Sequence, residues 1–551
     1  MSAYLPRLLV LAILLCDAGS LFAQTPDRRP AVDTKRFDAE AQPYLKAQQT
    51  VSTDTVVWTA APATPDRVTW FQYQTPIRNQ LDRNTCSIFA MVAAVEARYR
   101  RQFGLSLDLS EQYAWHVYKS GTTLDYPNKY KYENQSSYWG GGGSHGVRDL
   151  TNLPVPLETF APYKSQAQMD QIRLSIPAAG ALAWNGDPAL NPTTQDNVDA
   201  FEYSPLYIPL SARQNANYAV ASYVLLDQAG VRDTTRLEGL IASGNEVIVD
   251  MDLKWKVDPV TGVLTYDAKA PGGAHVFLLV GYDRPGGFFW VKNSWGETGY
   301  LRVHYDVFRN AALSGAIVSA VTDPGRPNFK SRFIGVWNMN HDGWKGKLII
   351  RRVTGDDNMA TRLGHYHAAD GRRLAVNGRF LDDGPPLWRG VYFALADVEY
   401  NQPGSMTGQR FWAHLYSWDT NLAAGNTVWS GTPFGLWLTR GTDSSPFPSV
   451  FNRNKWLGEW SMNHDGWRGT LNIQRLEESG AQWKVTGVYY DGAGVASSVT
   501  GYIDKAKEHV AQLTMFGQPF VLHYHTWSDG LFSGYTFWGG RRFGAHGLMK
   551  N

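Results

Sequence analysis

The sequence predicts a multidomain protein in which an α+β domain is followed by two all-β domains, each an antiparallel barrel or sandwich. Three observations predict this. The chain has 551 residues, which is too long for one typical domain. Its middle part mixes helical and strand patterns and contains one cysteine, Cys86. Its last part is an internal duplication built from short strand patterns.

Residues 1–23 have the pattern of a secretory signal peptide. Arg7 supplies a positive charge, Leu8–Leu15 is a continuous apolar run, and small residues follow. The run is too short to cross a bilayer, and no other stretch of the chain reaches that length. We therefore expect a secreted or periplasmic protein, with residues 24–64 as a spacer or short propeptide. A buried N-terminal helix and a lipoprotein signal at Cys16 are the less favoured alternatives.

Composition and charge argue against several classes of function. The hydrophobic share is 43%, the charged share is 19% and the formal net charge is +2. These values are typical of a globular protein and give no basis for binding nucleic acid or an anionic membrane. Cys16 would leave with the signal, so Cys86 would be the one thiol of the mature chain. A lone thiol in an exported protein indicates a reactive group or an intermolecular partner.

Cys86 stands where an amphipathic helix is predicted to begin. Asn84 or Thr85 can cap this helix. Residues at helical spacing mark an apolar face that can pack inward: Ile88, Phe89, Val92 and Val95. In the first turn of a helix, unpaired backbone N–H groups and the positive helix end stabilise a thiolate. The position therefore suits an activated nucleophile.

A base and its orienting partner are predicted on a β-hairpin. His275 begins the apolar strand His275–Tyr282, a turn follows at Asp283–Gly287, and the next strand ends at Asn293. The hairpin would return Asn293 beside His275, where its side-chain carbonyl can accept the imidazole N–H and fix the ring. Trp295 would cover that hydrogen bond from water.

Gln80, six residues before Cys86, supplies an amide donor. Its side chain and the backbone N–H of Cys86 would converge on the oxygen that becomes negative during acyl transfer. A thiol nucleophile, an imidazole base, an orienting amide and an oxyanion donor are the parts of a thiol hydrolase. This chemistry needs no metal and no organic cofactor.

Several segments between about residues 65 and 322 resemble the papain family of cysteine peptidases. These segments are Pro76-Ile-Arg-Asn-Gln80, Cys86 with its long helix, Leu109-Ser-Glu-Gln112, His275-Val-Phe-Leu-Leu-Val-Gly-Tyr282 and Lys292-Asn-Ser-Trp-Gly296. The resemblance implies that Cys86 is the nucleophile and His275 the general base and acid. It also implies that Asn293 orients His275 and that Gln80 donates to the oxyanion.

The same resemblance implies where a protein or peptide substrate would bind. Gly141, Gly142 and Gly143 resemble the glycine-rich loop that contacts the substrate backbone in the family. Ala274 and Trp295 flank the histidine and asparagine motifs and complete the expected substrate-binding set.

The chain departs from the family pattern at positions that bear on specificity and activation. Arg83 stands where the family usually has a cysteine, Ser87 where it has Trp or Tyr, and Leu81 where it has Gly. The stretch between Cys86 and His275 is longer than the about 130–150 residues of the family. None of these departures removes a catalytic atom.

Beyond a linker at Thr322–Asn328, the chain repeats itself in fixed register. Gly335–Gly346 returns as Gly458–Gly469, with Trp-x-Met-Asn-His-Asp-Gly-Trp in both copies. Later pairs are His414 with His523, Trp418 with Trp527, Trp429 with Trp538, and Phe434-Gly435 with Phe543-Gly544. Such self-similarity predicts two domains of one fold, residues 333–440 and 456–551.

The aromatic and histidine residues of the repeats allow two interpretations. We favour Trp337, Trp344, Trp460 and Trp467 as fillers of the barrel cores. The alternative is a sugar-binding or peptide-binding face, which would make a carbohydrate or cell-surface ligand the partner of the repeats. His365-x-His367 and His523-x-His525 resemble metal-ligand pairs, but His367 and His525 are not matched between the copies. We therefore expect no metal site.

Together these features predict a secreted papain-like cysteine endopeptidase whose β-domains bind substrate or a surface. Two alternatives remain open from the sequence. The same residues would serve an aminopeptidase, an amidase or a transpeptidase. In the other alternative the protease-like domain is inactive and the repeats carry the function by binding.

Overall fold

The structure is a computed structural model. It describes residues 64–125, 146–148, 150–151, 153–171, 208–296, 299–325, 329–350, 353, 360–381, 390–397, 405–440 and 451–550. These residues all belong to one compact unit, Ala60–Asn551. The expected signal peptide and almost all of the expected spacer lie outside the described residues, as do Gly141, Gly142 and Gly143.

The first domain combines helices with a nine-stranded sheet. Its helices are α1 (Cys86–Phe103), α2 (Glu111–Asp125), α3 (Leu210–Gln214), α4 (Gln228–Arg232), α5 (Thr234–Ala242) and α6 (Tyr305–Ala311). Short 3-10 helices lie at Phe71–Tyr73 and Glu158–Phe160, and residues 146–148 and 166–171 are helical. Within the described part of the chain, no helix has the length and apolarity needed to span a membrane.

The sheet places the strand that carries His275 at its centre. Its strands are β1 (Arg67–Thr69), β2 (Val220–Leu226), β3 (Val247–Asp252), β4 (Trp255–Val257), β5 (Leu264–Tyr266), β6 (Ala274–Asp283), β7 (Phe288–Lys292), β8 (Leu301–His304) and β9 (Ala312–Val321). They follow the order β2-β9-β3-β6-β7-β8-β5-β4, and β1 also pairs with β6. Every pair is antiparallel except β5 with β8. Strand β6 therefore has partners on both edges from Leu278 onward, while its first residues, including His275, pair with β3 alone.

The first part of helix α1, Cys86–Ala97, is buried on all sides, whereas the sequence predicted an amphipathic helix with one inward face. Every residue from Cys86 to Ala97 is buried, because the helix packs on β6 and β9 and is covered by α2. Thr85 is the N-cap residue, but its side chain makes no capping hydrogen bond. Its hydroxyl instead lies 2.6 Å from the hydroxyl of Tyr163. The helix ends at Gly104, whose φ of 69° suits glycine.

Two closed, eight-stranded antiparallel barrels follow. The first contains β10 (Gly335–His341), β11 (Trp344–Ile350), β12 (Thr361–Ala368), β13 (Arg373–Leu381), β14 (Gly390–Asp397), β15 (Gln409–Leu415), β16 (Leu422–Trp429) and β17 (Thr432–Thr439). The second contains β18 (Gly458–His464), β19 (Trp467–Ser479), β20 (Gln482–Asp491), β21 (Ala496–Asp504), β22 (Val510–Met515), β23 (Gln518–Tyr524), β24 (Leu531–Trp538) and β25 (Arg541–Met549). The predicted fold class, an α+β domain followed by two all-β repeats, is confirmed.

The motif tryptophans of the repeats divide into two groups. Trp337 and Trp460 are fully buried, and each donates its indole N–H to a backbone carbonyl of the 3-10 helix that precedes its barrel. Their assignment to the barrel cores is confirmed. Trp344 and Trp467 are 61% and 62% exposed, so their assignment to the cores was wrong. Both follow the Asp-Gly turn that joins the first two strands of a barrel, where the side chain reaches solvent.

The two barrels meet along a pseudo-symmetric seam that the Asp-Gly turns build. Asp342 of the first barrel accepts hydrogen bonds from the backbone N–H and the hydroxyl of Thr526, at 2.6 and 2.7 Å. Its counterpart Asp465 accepts the backbone N–H of Ser417 in the first barrel at 2.7 Å. Each aspartate has a φ of 55°, in the left-handed region that Asp tolerates better than most residues. The repeated motif therefore fixes one barrel on the other.

The first barrel also shares its core with the α+β domain. A single cluster of buried side chains runs from Val95 in α1 to Trp337 and Leu438 in the barrel. Arg213, fully buried in α3, donates to the backbone carbonyl of Ile334 at 2.9 Å. The second barrel has a separate core. The α+β domain and the first barrel are therefore one packed body.

Candidate active site

Cys86 lies in the first turn of α1, and only 8% of it is exposed. Burial raises the pKa of the Cys86 thiol to about 11, and the negative charge of Asp250 on β3 adds to this effect. Hydrogen bonds to the sulfur from the backbone N–H groups of Val276 and Ser87 act in the opposite direction. A thiolate at this position therefore needs a positive charge beside it.

Strands β6 and β7 bring His275 and Asn293 together. Leu278 pairs with Lys292, so Asn293 follows β7 beside the beginning of β6. The His275 Nε2 lies 2.7 Å from the Asn293 Oδ1. A side-chain carbonyl only accepts hydrogen bonds, so Nε2 carries the proton and Nδ1 is the basic nitrogen of the ring. This is the arrangement that an imidazole base requires.

Trp295 and Ala274 lie on either side of this histidine. The ring centroids of Trp295 and His275 are 4.7 Å apart and the rings are tilted by 34°, so the indole shields the imidazole and its bond to Asn293. Ala274 begins β6 opposite Asp252 and is exposed. An exposed small residue next to the imidazole leaves room for a substrate backbone.

Burial disfavours each charged form of the Cys86–His275 pair. It lowers the pKa of His275 to about 4, and the hydrogen bond to Asn293 opposes this shift. Because the sulfur contacts the N–H of Val276, the residue after His275, the two groups share one site. Proton transfer from thiol to imidazole creates both charges together, and their attraction offsets the loss of solvation.

Gln80 is held beside this pair through its own amide. Its side-chain Oε1 accepts the hydroxyl of Ser294 at 2.6 Å, and its Nε2 donates to the backbone carbonyl of Arg83 at 2.9 Å. Its backbone N–H also donates to the Ser294 carbonyl at 2.8 Å. An amide nitrogen has two hydrogens, so one remains available for a second acceptor. Sequence reasoning missed Ser294, although it belongs to the Asn-Ser-Trp-Gly motif.

Arg83 fills the position where the resembling family has a cysteine. The side chain is buried and donates to Gln112 Oε1 at 2.7 Å and to the Lys164 carbonyl at 2.9 Å. Its guanidinium also lies over the ring of Tyr163 at 4.8 Å. Arg83 therefore joins the segment before α1 to α2 and to the Pro-Tyr-Lys segment.

A buried charged cluster behind the site escaped sequence reasoning. Lys292 donates to the hydroxyl of Thr75 at 3.0 Å, and that hydroxyl donates to the carboxylate of Glu96. Burial lowers the pKa of Lys292 to about 8 and raises that of Glu96, while their mutual attraction opposes both shifts. The cluster anchors the residue just before Asn293. The only signal in the sequence is a lysine at the end of an apolar strand.

Leu81, next to Gln80, has a strained backbone. Its φ is 54°, and its N–H is held by the side chain of Asn79 at 2.8 Å. A residue with a side chain pays about 1–2 kcal/mol for this left-handed conformation, whereas glycine adopts it freely. The side chain is 51% exposed, so it contributes little packing.

We expect Leu81→Gly to raise the free energy of unfolding by up to about 1 kcal/mol, because relief of strain exceeds the greater freedom of glycine in the unfolded chain. Urea denaturation measures the change. Leu225→Gly is the matched control, since Leu225 is 39% exposed within strand β2 and should lose stability. An equal loss of unfolding free energy in both variants would contradict the proposed strain at Leu81.

Comparisons with known proteins add distant similarities. No known family profile matches the chain. It is 26% identical over 245 residues to the gamete and mating-type specific protein A of Dictyostelium discoideum, a match covering 43% of this chain and 42% of that relative. Among solved structures it is similar to xylellain, a cysteine protease from Xylella fastidiosa, with 19% identity, a TM-score of 0.32, and coverage of 47% of this chain and 88% of xylellain. It is also similar to the bromelain protease from Ananas comosus, with 20% identity, a TM-score of 0.28, and coverage of 46% of this chain and 97% of bromelain.

Proposed function

We propose that the chain is an exported papain-like cysteine endopeptidase. Cys86, His275 and Asn293 are its catalytic residues, and Gln80 donates to the oxyanion. The observation that supports this most is the 2.7 Å hydrogen bond from His275 to Asn293, next to a thiol in the first turn of a buried helix. The family motifs supply the reaction class, and the contact between the Cys86 sulfur and the N–H of Val276 supplies the proximity.

The chemistry proceeds in two half-reactions. The Cys86 thiolate attacks the scissile carbonyl carbon, a C–S bond forms, and the protonated His275 donates its proton to the departing amine as the C–N bond breaks. His275 then removes a proton from water, whose oxygen attacks the thioester. The C–S bond breaks, the acid product leaves, and the thiol is restored. The free N–H of Gln80 and the backbone N–H of Cys86 stabilise the oxyanion in both halves.

The rest of the chain has a supporting role in this proposal. The signal peptide directs the protein to the periplasm or the exterior. Gly141, Gly142, Gly143, Ala274 and Trp295 contact the substrate, and the barrels bind substrate or a surface. The thiol has to stay reduced, since oxidation of Cys86 removes the nucleophile.

Labelling with an epoxysuccinyl thiol-protease inhibitor tests the nucleophile. We expect stoichiometric modification of Cys86 in the folded, reduced protein and almost none after unfolding in urea, because only the fold places His275 beside the thiol. Intact mass and peptide mapping measure the modification. Equal labelling of folded and unfolded protein would sink the proposal.

A peptide library tests the reaction class. Peptides blocked at both ends should be cleaved internally, because an endopeptidase needs no free terminus. Cys86→Ala is the control for contaminating activity. Cleavage restricted to peptides with a free amino end would replace the endopeptidase by an aminopeptidase that uses the same residues.

A further inference from the structure

Tyr163 joins the two ends of the loop that leads into α1, residues 80–85, which we call the entry loop. The Tyr163 hydroxyl donates to the backbone carbonyl of Gln80 at 2.9 Å and lies 2.6 Å from the hydroxyl of Thr85, the residue before Cys86. A tyrosine has one hydroxyl proton, and here it goes to Gln80, so the Thr85 hydroxyl is the donor to the tyrosine oxygen. Two hydrogen bonds thus connect the beginning of the entry loop to its end.

Tyr163 is itself fixed by contacts outside the entry loop. Its backbone N–H donates to a carboxylate oxygen of Glu158 at 2.6 Å, and its ring packs edge-on against Phe89 of α1, with centroids 4.9 Å apart. Burial raises the pKa of Tyr163 to about 12, and the positive charge of Arg83 opposes this shift. The hydroxyl therefore keeps its proton at neutral pH, in a position that Glu158 and Phe89 set.

The residues after Tyr163 hold the middle of the entry loop. The backbone carbonyl of Lys164 accepts a hydrogen bond from the side chain of Arg83 at 2.9 Å. The backbone N–H of Gln166 donates to the side chain of Asp82, also at 2.9 Å. The segment from Tyr163 to Gln166 therefore clamps the entry loop at its ends and at its middle.

We propose that Tyr163 is a positioning residue that sets the spacing of the two oxyanion donors, the side-chain N–H of Gln80 and the backbone N–H of Cys86. The inference rests on the proposed function, because an oxyanion forms only when the Cys86 sulfur attacks a carbonyl carbon. Such donors are effective because the fold places them before the charge develops. A displaced donor weakens binding of the transition state more than binding of the substrate, so the effect belongs to kcat rather than to KM.

Steady-state kinetics of Tyr163→Phe on a blocked fluorogenic peptide test the proposal. The substitution removes one oxygen atom and keeps the ring. We expect kcat to fall about tenfold with KM nearly unchanged, a smaller effect than the about 10²- to 10³-fold loss that follows outright removal of one donor. The second readout is alkylation of Cys86 by iodoacetamide, in which the sulfur displaces iodide from a saturated carbon. No oxyanion forms in that reaction, so its rate should stay at the wild-type value.

Tyr99→Phe is the matched control. Tyr99 is a buried tyrosine of α1 whose hydroxyl lies 3.0 Å from that of Thr322 and accepts the backbone N–H of Ala219 at 2.9 Å. Its substitution also removes a buried hydroxyl from the α+β domain, and it should leave kcat unchanged. A Gln80→Ala background tests the route of the effect. There Tyr163→Phe should cost less than in the wild type, because the donor that it positions is already gone.

The outcomes separate this inference from the proposed function. A wild-type kcat in Tyr163→Phe overturns the inference and leaves the proposed peptidase intact. Parallel losses of hydrolysis and alkylation also overturn it, because they indicate a general disturbance of the site, and so does an equal loss of kcat with and without Gln80. A wild-type chain that reacts with iodoacetamide but cleaves no peptide refutes the proposed function, and the inference falls with it.

Discussion

His275→Ala is expected to lower kcat/KM for peptide hydrolysis by about 10²- to 10⁴-fold, the range that a positioned acid–base group contributes. The loss arises because burial keeps the thiol of Cys86 neutral, with a pKa of about 11, unless the imidazole takes its proton. Without His275 the leaving amine also lacks a proton donor. Steady-state kinetics on a fluorogenic peptide measure the effect.

Asn293→Ala should have a smaller effect on the same reaction, about 10-fold, since it removes one hydrogen bond that orients the ring and fixes its tautomer. His367→Ala is the matched control, because that partly buried histidine lies in the first barrel, away from β6 and β7. Hydrolysis that survives His275→Ala at the wild-type rate would contradict the assigned base. An equal loss of kcat/KM in His367→Ala would indicate general destabilisation instead.

Acidification is expected to destabilise the barrels strongly. Burial lowers the pKa of six barrel histidines: to about 4 for His341, His464 and His546, to about 3 for His523 and His525, and in the same direction for His509. In the unfolded chain these rings titrate near their ordinary pKa of about 6.5. Below that pH the unfolded state binds protons that the folded barrels exclude.

The sign of the effect follows from these values. A group whose pKa is lowered in the folded state contributes full stability above about pH 6.5, and this is lost as the pH falls towards about 4. Each pKa unit corresponds to about 1.4 kcal/mol. Asp342 acts in the opposite direction, since burial raises its pKa to about 6, but it is one group against six histidines. We expect the free energy of unfolding to drop by at least about 4 kcal/mol between pH 7 and pH 5.

Urea unfolding followed by tryptophan fluorescence at the two pH values measures this drop, and 13 of the 21 tryptophans lie in the repeats and report on them. His523→Phe should make stability less sensitive to pH, because its buried ring nitrogens have no hydrogen-bond partner among the described residues. His367→Phe is the control at a partly exposed position. A stability that stays constant from pH 7 to pH 5 would show that the barrel histidines are solvated.

The sequence predicted the fold class and the hairpin that carries His275 because both depend on local patterns. Continuous apolar runs on either side of a turn at Asp283–Gly287 determine which strands are neighbours, and β6 and β7 pair across that turn. The internal repeat predicted two copies of one fold for the same reason. The sequence similarity between the two copies is visible without any knowledge of the surfaces that either copy packs against.

Features that depend on tertiary packing could not be predicted. The exposure of Trp344 and the burial of Trp337 differ although both belong to one motif, because only the closed barrel decides which side faces inward. The bridge from Lys292 through Thr75 to Glu96 joins residues far apart in the chain. In the sequence, Arg83 is only a departure from the family pattern, because its hydrogen bond to Gln112 on α2 is formed by the fold.

The common core of the α+β domain and the first barrel has a practical consequence for preparing this protein. A protease cut between residues 322 and 328 would give two bands on a denaturing gel but a single peak in gel filtration, because Arg213 and the cluster around Trp337 keep the fragments together. A recombinant fragment that stops at residue 322 would expose the apolar surface that this barrel covers and would aggregate. The shortest fragment worth expressing therefore extends at least to residue 440.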